Sequence, residues 1–290
     1  MAELFESKVD IRKSGSRSVT ITLDANSGNL TMGGAGADGD VLLKDGSGAT
    51  RIHLDPGMQT IKIRDASGNL IAELGRNGNL RLGGSAHDGD IEMMRSNGQR
   101  TVHVDGHEAN LWLGGNGADG DIVMFPSGAV NDNSVSGSTI HLDANAGDII
   151  LRNADAAEDF DVADAPGCVA SPGDVMVIDD DSCLRVSNDS YDRRVAGVIS
   201  GAGSYKPGLV LDRQGGGGGR LPVALMGKVF AKVDASGGAI TVGDLLTTSD
   251  VAGHAMRASD PSRSFGAVIG KALAPLPRGR GLVPILVSLQ

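Results

Sequence analysis

Apolar and polar residues alternate along the first half of the chain with the period of half-buried strands. Val19-Thr20-Ile21-Thr22-Leu23-Asp24 is the first clear case, and Thr50-Arg51-Ile52-His53-Leu54-Asp55 repeats it. Short runs such as Asn29-Leu30-Thr31-Met32 and Asp40-Val41-Leu42-Leu43-Lys44 lie between them, separated by Gly, Asp and Asn. Strands of four to six residues with a turn roughly every ten residues are predicted, since Gly, Asn and Asp supply turn geometry. No stretch of this half has the spacing of an amphipathic helix.

One unit returns three times. Residues 29–41 (Asn-Leu-Thr-Met-Gly-Gly-Ala-Gly-Ala-Asp-Gly-Asp-Val) are matched by residues 79–91 and 110–122. A self-similar unit dictates architecture. Asn29 to His53 and Asn79 to His103 both span 24 positions, while Asn110 to His141 spans 31. The extra residues fall in a loop-like insertion at 126–137. Whole strand-turn units, such as Thr60–Arg64 and the run to Leu74, are inserted between copies. A stack of rungs or hairpins accommodates such insertions. Open strand edges need capping or pairing, so a homo-oligomer, foremost a trimeric shaft, is expected.

The second half reads differently. An acidic stretch at 154–166 is expected to be a junction, followed by short apolar runs of the kind buried on both faces. Candidate strands lie at 174–179, 195–200, 208–212, 221–226, 229–234, 266–270 and 282–289, with a glycine loop at 214–220. The expected class is all-β: a β-solenoid or β-prism-like repeat region, then a compact β-barrel or β-clip-like domain. The expected division is a loose N-terminal strand or attachment segment at 1–18, where Lys8-Val9-Asp10-Ile11 alternates, a shaft at 19–160 and a C-terminal domain at 161–290.

Composition narrows the picture. Of 290 residues, 40% are hydrophobic but only 3% aromatic, and 44 are glycine, which suits many thin layers built from Val, Ile, Leu and Ala. The formal net charge of −10 argues against nucleic acid or an anionic membrane as main partner. Cys168 and Cys183, the only two cysteines, form no zinc or redox motif; two thiols or one disulfide both remain open. The first eight residues carry no apolar signal core, and no apolar run is long enough to span a bilayer. Synthesis in the cytoplasm is expected, with any exit by lysis, within an assembled particle or through a dedicated secretion system.

Three candidate chemistries follow from the repeats. Residues 33–38 and 114–119 fit the opening of a calcium-binding nonapeptide, which would make Asp38, Asp40, Asp119 and Asp121 the ligands. Against this, Asp40 and Asp121 occupy the apolar position of that motif, Ala86 replaces its third glycine, and the copies are not in tandem. The corner is read as structural, with no metal or cofactor. His53, His103 and His141 hold one repeat position, but Thr22 and Lys62 hold its equivalents, so a solvated surface opposite the apolar face is expected there. Trp112 stands in the place of Thr31 and Arg81 on that same face.

Pro172-Gly173-Asp174-Val175-Met176, Arg194-Val195-Ala196-Gly197-Val198, Pro222-Val223-Ala224-Leu225-Met226-Gly227-Lys228, residues 243–249, residues 253–256 and Gly266-Ala267-Val268-Ile269-Gly270 resemble the C-terminal β domain of phage-tail-fibre-like bacterial proteins. The N-terminal repeats are similar to the shafts of such fibres, so the resemblance covers about residues 20–290. It implies a non-enzymatic, self-assembling subunit of a fibre, spike or filament, its partner being further copies of itself as a homotrimer or filament. A fibre adhesin is the second expectation. It would meet a surface receptor or glycan through Trp112, the 126–137 insertion or residues 215–219. Some similar domains cleave themselves; Thr247, Ser249 and His254 are near one another in sequence but do not by that make a triad.

Overall fold

The computed structural model describes residues 8–12, 14–15, 19–34, 36–129, 134–163, 169–179, 183–214 and 219–288. Cys168, most of the 215–219 loop, and parts of the 1–18 segment and the 126–137 insertion lie outside them. Among the described residues the chain is all-β, with one four-residue helix; it divides into two compact units, Met1–Asp121 and Ile122–Gln290.

The first unit contains eleven strands: β1 (Lys8–Arg12), β2 (Val19–Asp24), β3 (Asn29–Met32), β4 (Val41–Lys44), β5 (Thr50–Asp55), β6 (Thr60–Arg64), β7 (Leu70–Leu74), β8 (Leu80–Leu82), β9 (Ile91–Met94), β10 (Arg100–Asp105) and β11 (Asn110–Leu113). They form three separate antiparallel meanders, β1-β2-β3, β4 to β8, and β9-β10-β11. Residues 8–12, expected as a loose strand or attachment segment, are the edge strand of the first meander. Strand period and register put two apolar rows on one face of each sheet. In the largest sheet they are Val41–Leu54–Ile61–Leu74–Leu80 and Leu43–Ile52–Ile63–Ala72–Leu82. The others carry Val9–Leu23–Leu30 with Ile11–Ile21–Met32, and Ile91–Val104–Leu111 with Met93–Val102–Leu113. Between the rows the opposite face carries a ladder that starts at Leu42 and is polar thereafter, His53–Lys62–Glu73–Arg81 in the largest sheet.

The repeated unit makes the corners that join the sheets. In each copy a small bridge closes a two-residue turn: Gly34 with Ala37, Gly84 with His87, Gly115 with Ala118. In the third copy Asn116 and Gly117 have φ of 53° and 79°, the left-handed pair that Asn-Gly turns favour. After the turn the chain crosses its own entry strand at a glycine. A Cβ on Gly39, Gly89 or Gly120 would lie 2.2, 2.1 or 2.2 Å from the carbonyl oxygen of Met32, Leu82 or Leu113. That crossing, which admits no side chain, is the physical reason the Asp-Gly-Asp element returns unchanged.

The second unit contains β12 (Ile122–Met124), β13 (Ile140–Asp143), β14 (Asp148–Leu151), β15 (Asp155–Asp161), β16 (Val175–Ile178), β17 (Leu184–Val186), β18 (Val195–Ile199), β19 (Pro207–Leu211), β20 (Arg220–Asp234), β21 (Leu245–Thr248), β22 (Ala255–Arg257), α1 (Pro261–Ser264), β23 (Val268–Ala272) and β24 (Arg280–Ser288). The strands β12-β13-β14 form a fourth small meander with the same two apolar rows, Ile122–Leu142–Ile149 and Met124–Ile140–Leu151. The rest is one sheet. Within it β20, β22, β21, β23 and β24 close into a five-stranded barrel, because β24 pairs with both β23 and β20. Val229, Ala231, Val233, Leu246, Ile269 and Ile285 fill it, each wholly buried.

The strand β20 organises this unit. The sequence pattern predicts two strands here, at 221–226 and 229–234. They are one strand of 15 residues that changes direction at Gly227, whose φ is 101° and whose Cβ would meet the Ala154 carbonyl at 2.8 Å. Its first half pairs with β15 and β18, its second with β24. The acidic stretch read as a junction thus contributes a strand, β15, to this sheet. Its alternate residues Asp155, Ala157 and Asp159 are buried, while Asp159 also pairs with Arg213.

Two measurements test this account. Gly120→Ala is expected to lower stability by about 1–3 kcal/mol, the cost of forcing atoms into filled space. Gly46→Ala, where a Cβ meets nothing within 4 Å, stays within about 0.5 kcal/mol of the parent in denaturant unfolding. Asp155 is the second case. Burial raises its carboxyl above the usual range, only partly offset by the bond its Oδ2 accepts from Ser200 Oγ at 2.8 Å, and Oδ1 has no partner. The fold therefore binds this proton more tightly than the unfolded chain does, and stability falls as pH rises from the ordinary carboxyl range through the raised value. Asp155→Asn is expected to stabilise at pH 7 by on the order of 1 kcal/mol, with the gain vanishing in acid; an equal gain at every pH would contradict the ionisation argument.

Candidate functional site

The feature of the first unit with most bearing on function is what it leaves uncovered. Among its described residues no apolar side chain is buried. Leu30 is 57% exposed, Leu43 52%, Leu80 62% and Leu111 58%, and all lie on the apolar rows. The barrel of the second unit, by contrast, holds its Val, Ile and Leu side chains near zero exposure.

The opposite, polar face is the better covered one, against expectation. His103 is 8% and His141 6% exposed, and the position shared by His53, His103 and His141 is not the solvated surface that its variety of residues suggested. Around His53 and His103 the reason lies in the corners. Each brings an aspartate back to the polar ladder of the following sheet: Asp90 Oδ1 accepts from Gly106 N at 3.0 Å, and Asp90 Oδ2 lies 3.4 Å from His103 Nε2. The Gly106 amide, and the imidazole beside it, hold the Asp90 carboxyl below its ordinary range.

In the corner before β4 the same arrangement gathers three groups. His53 Nε2 lies 3.2 Å from Asp40 Oδ2 and 4.0 Å from Asp55 Oδ2. Asp55 spends its other oxygen on the turn after β5, where Oδ1 accepts from Met58 N at 2.8 Å. Among the described residues this is the set of three His, Cys, Asp or Glu groups close enough to share an ion. Of the calcium candidates, Asp40 therefore takes part in a cluster, and its companions are His53 and Asp55. Asp38 lies against Gly57 in the neighbouring turn, and Asp119 and Asp121 are exposed. The sequence carried a signal that pattern reading passed over. An Asp precedes each repeat His, and a second Asp follows two residues after it: Asp40/His53/Asp55, Asp90/His103/Asp105 and Asp121/His141/Asp143.

Other charged groups pair along the same face. Lys62 and Arg81 flank Glu73 at 3.9 and 3.7 Å. Asp65 bonds Asn69 and His87, and its carboxyl is held far below the ordinary range by these, Asn69 first. Trp112, opposite His103 across β10 and β11, is 59% exposed.

The residues considered for self-cleavage do not assemble a nucleophile and base. Thr247 is fully buried and its hydroxyl donates to the Ala267 carbonyl at 2.8 Å. Ser249 Oγ bonds Asp250, while His254 Nδ1 faces its own loop at the Ala252 carbonyl, 2.8 Å away. Ser171 Oγ and Lys232 Nζ are 2.8 Å apart, but Asp174 accepts from both, so the hydroxyl and the lysine are tied to one carboxylate. Among the described residues no helix is long and apolar enough to cross a membrane.

No family model and no curated protein matches this chain. The functional reading therefore rests on geometry. The intact mass of purified chain is expected to stay unchanged on prolonged storage at neutral pH; a fragment pair with a new terminus at Thr247 or Ser249, abolished by Ser249→Ala, would contradict the geometry described for these residues.

Proposed function

We propose that this chain is a structural, self-assembling protein, a subunit of a homo-oligomeric fibre, spike or filament of the phage-tail-fibre-like kind. The supporting observation is the uncovered apolar face of the first unit. Every sheet there presents two registered apolar rows, and among the described residues of the unit no apolar side chain is buried. An isolated meander gains little from folding in water. Moving a half-exposed Leu or Ile out of water is worth on the order of 1 kcal/mol. Over the dozen such side chains on these rows the total is on the order of 10 kcal/mol, comparable with the cost of association.

The natural occupant is the same surface on other copies. Three meanders with their apolar rows turned inward make a triangular β-prism, in which the corners carry each chain from one layer to the next. Because the rows recur in each sheet, one threefold axis serves all of them. The barrel of the second unit, with its own core, needs no such partner to fold. Assembly outside the cell, within a particle or filament, agrees with the acidic, Asp-rich turns that keep its outer face soluble.

A second reading adds to the first. An exposed Trp112 on the polar face is the kind of platform that binds sugar rings or a receptor, which would make the assembly an adhesin. Glycan-array binding by the parent, lost in Trp112→Ala, is its measure.

The assembly reading is tested by mass in solution. The 29.5 kDa chain is expected to run at three times that mass or as larger filaments. Leu54→Asp and Leu74→Asp, which put charges in one apolar row, are expected to shift it toward monomer or to unfold the first unit, whereas Leu42→Asp on the other face leaves the assembly intact. A folded parent that stays monomeric at micromolar concentration refutes the proposal.

A further inference from the structure

We propose that two neighbouring turns of the sheet β4 to β8 enclose a binding site for a carboxylated sugar of the uronic acid kind, with Arg76 as the anchor of its carboxylate. The site exists because strands are inserted in this sheet. In β1-β2-β3 and β9-β10-β11 one turn stands at the end where the central strand passes to the third. The inserted pair β6 and β7 brings a second turn to that end: one joins β5 to β6, the other β7 to β8. A cavity of about 490 Å³ opens between them, lined from both turns and from the polar ladder. That is the size of a small-molecule site. The three-strand pattern of the other sheets is complete without the insertion, so the cavity is what the insertion adds.

Its lining sets the class of ligand. Glu73, the one acid among the lining residues, is flanked by Lys62 at 3.9 Å and Arg81 at 3.7 Å. Arg76 lines the cavity too and makes no hydrogen bond or ion pair with another described residue. Two guanidinium groups thus face one carboxylate, in a chain whose formal net charge is −10. A single negative charge on the ligand restores balance, and a guanidinium takes a carboxylate through two parallel hydrogen bonds. The amides of Gln59, Asn77 and Asn79 are likewise without a partner among the described residues. Each offers both donors and an acceptor, as neighbouring hydroxyl groups require. Met58, 61% exposed on the rim, supplies apolar surface for the C–H face of a ring. A phosphate ester would set two charges beside Glu73 and leave the amide acceptors unused.

Two further observations point the same way. Thr60 Oγ1, in the cavity wall, is buried and makes no hydrogen bond; an unpartnered buried hydroxyl is costly, and a seated polyol offsets that cost. Gln59 has φ of 57°, a left-handed angle that glycine adopts more readily. The equivalent turn positions carry Gly28, Ala109 and Gly147. Only in the sheet that has the cavity does a long polar side chain stand there. The ladder face is the outer one in the assembly proposed above, so the cavity stays open to solvent. The site shares no residue with the Trp112 surface and does not depend on it.

The test is saturation-transfer NMR on the full-length chain, with D-glucuronate and its neutral counterpart D-glucose as probes. Transfer to the ring protons of glucuronate is expected, well above that to glucose. Arg76→Ala and Asn77→Ala, at exposed turn positions, are each expected to weaken glucuronate binding by about tenfold, the loss of one good polar contact. Circular dichroism checks that both keep the parent's strand signal. Arg278→Ala, which removes the same charge from an exposed position of the second unit, and Trp112→Ala are expected to bind as the parent does. No transfer to glucuronate, equal transfer to both sugars, or an Arg76→Ala chain that binds like the parent overturns the proposal. Loss of binding in Trp112→Ala instead overturns it in favour of the tryptophan surface. The readout is independent of the oligomeric mass that tests the assembly reading.

Discussion

The first unit is governed by one constraint: a sheet with a single apolar face has to remove that face from water. Its strands are too short and its sheets too small to fold back on themselves, and the corners return over the polar side instead. The resulting burial is inverted. On the polar face His103 is buried, while leucines and isoleucines of the apolar rows are open. The barrel of the second unit meets the same constraint by closure. Its long strand β20 bends at Gly227 and lets β24 complete a ring, so the Val and Ile side chains cover one another within one chain.

The corner reconciles regular sheets with a chain that must move from one to the next. Its turn glycines supply left-handed angles, and Gly39, Gly89 and Gly120 permit the chain to cross within touching distance of the strand just left. Once the crossing is made, the following aspartate is delivered to the polar ladder beside the repeat histidine. Backbone sterics and side-chain electrostatics are thus coupled in one short motif. The glycine crossing places Asp40 and Asp90, and those carboxylates in turn meet His53 and His103.

The same composition serves two strategies of stabilisation. Few aromatics and many glycines suit thin layers joined by tight turns, and the polar faces are laced by Asx turns such as Asp45 with Ser47 and Ala49. Ser47 and Arg51 together hold Asp45 ionised to unusually low pH. These turns set local shape at the surface. The energetic weight of the fold lies in the barrel core of the second unit and, on the reading proposed for the first, in the faces shared between chains.

Alternation in residues such as 19–24 and 50–55 was enough to establish strands, their apolar rows and the corners, because strand period and turn chemistry are local properties. The repeat was equally legible, since it is a comparison of the chain with itself. Other features depended on contacts between distant residues. That 155–161 is a strand was settled by partners remote in sequence, as was the fusion of 221–226 with 229–234 into one bent strand closing a barrel. The histidine position looked solvated because a pattern assigns a face but not what covers it; only the path of the corner shows Asp40 and Asp90 returning to that face. Asp40, His53 and Asp55 are drawn together by a turn and a strand register, and neither is visible in any one stretch of sequence.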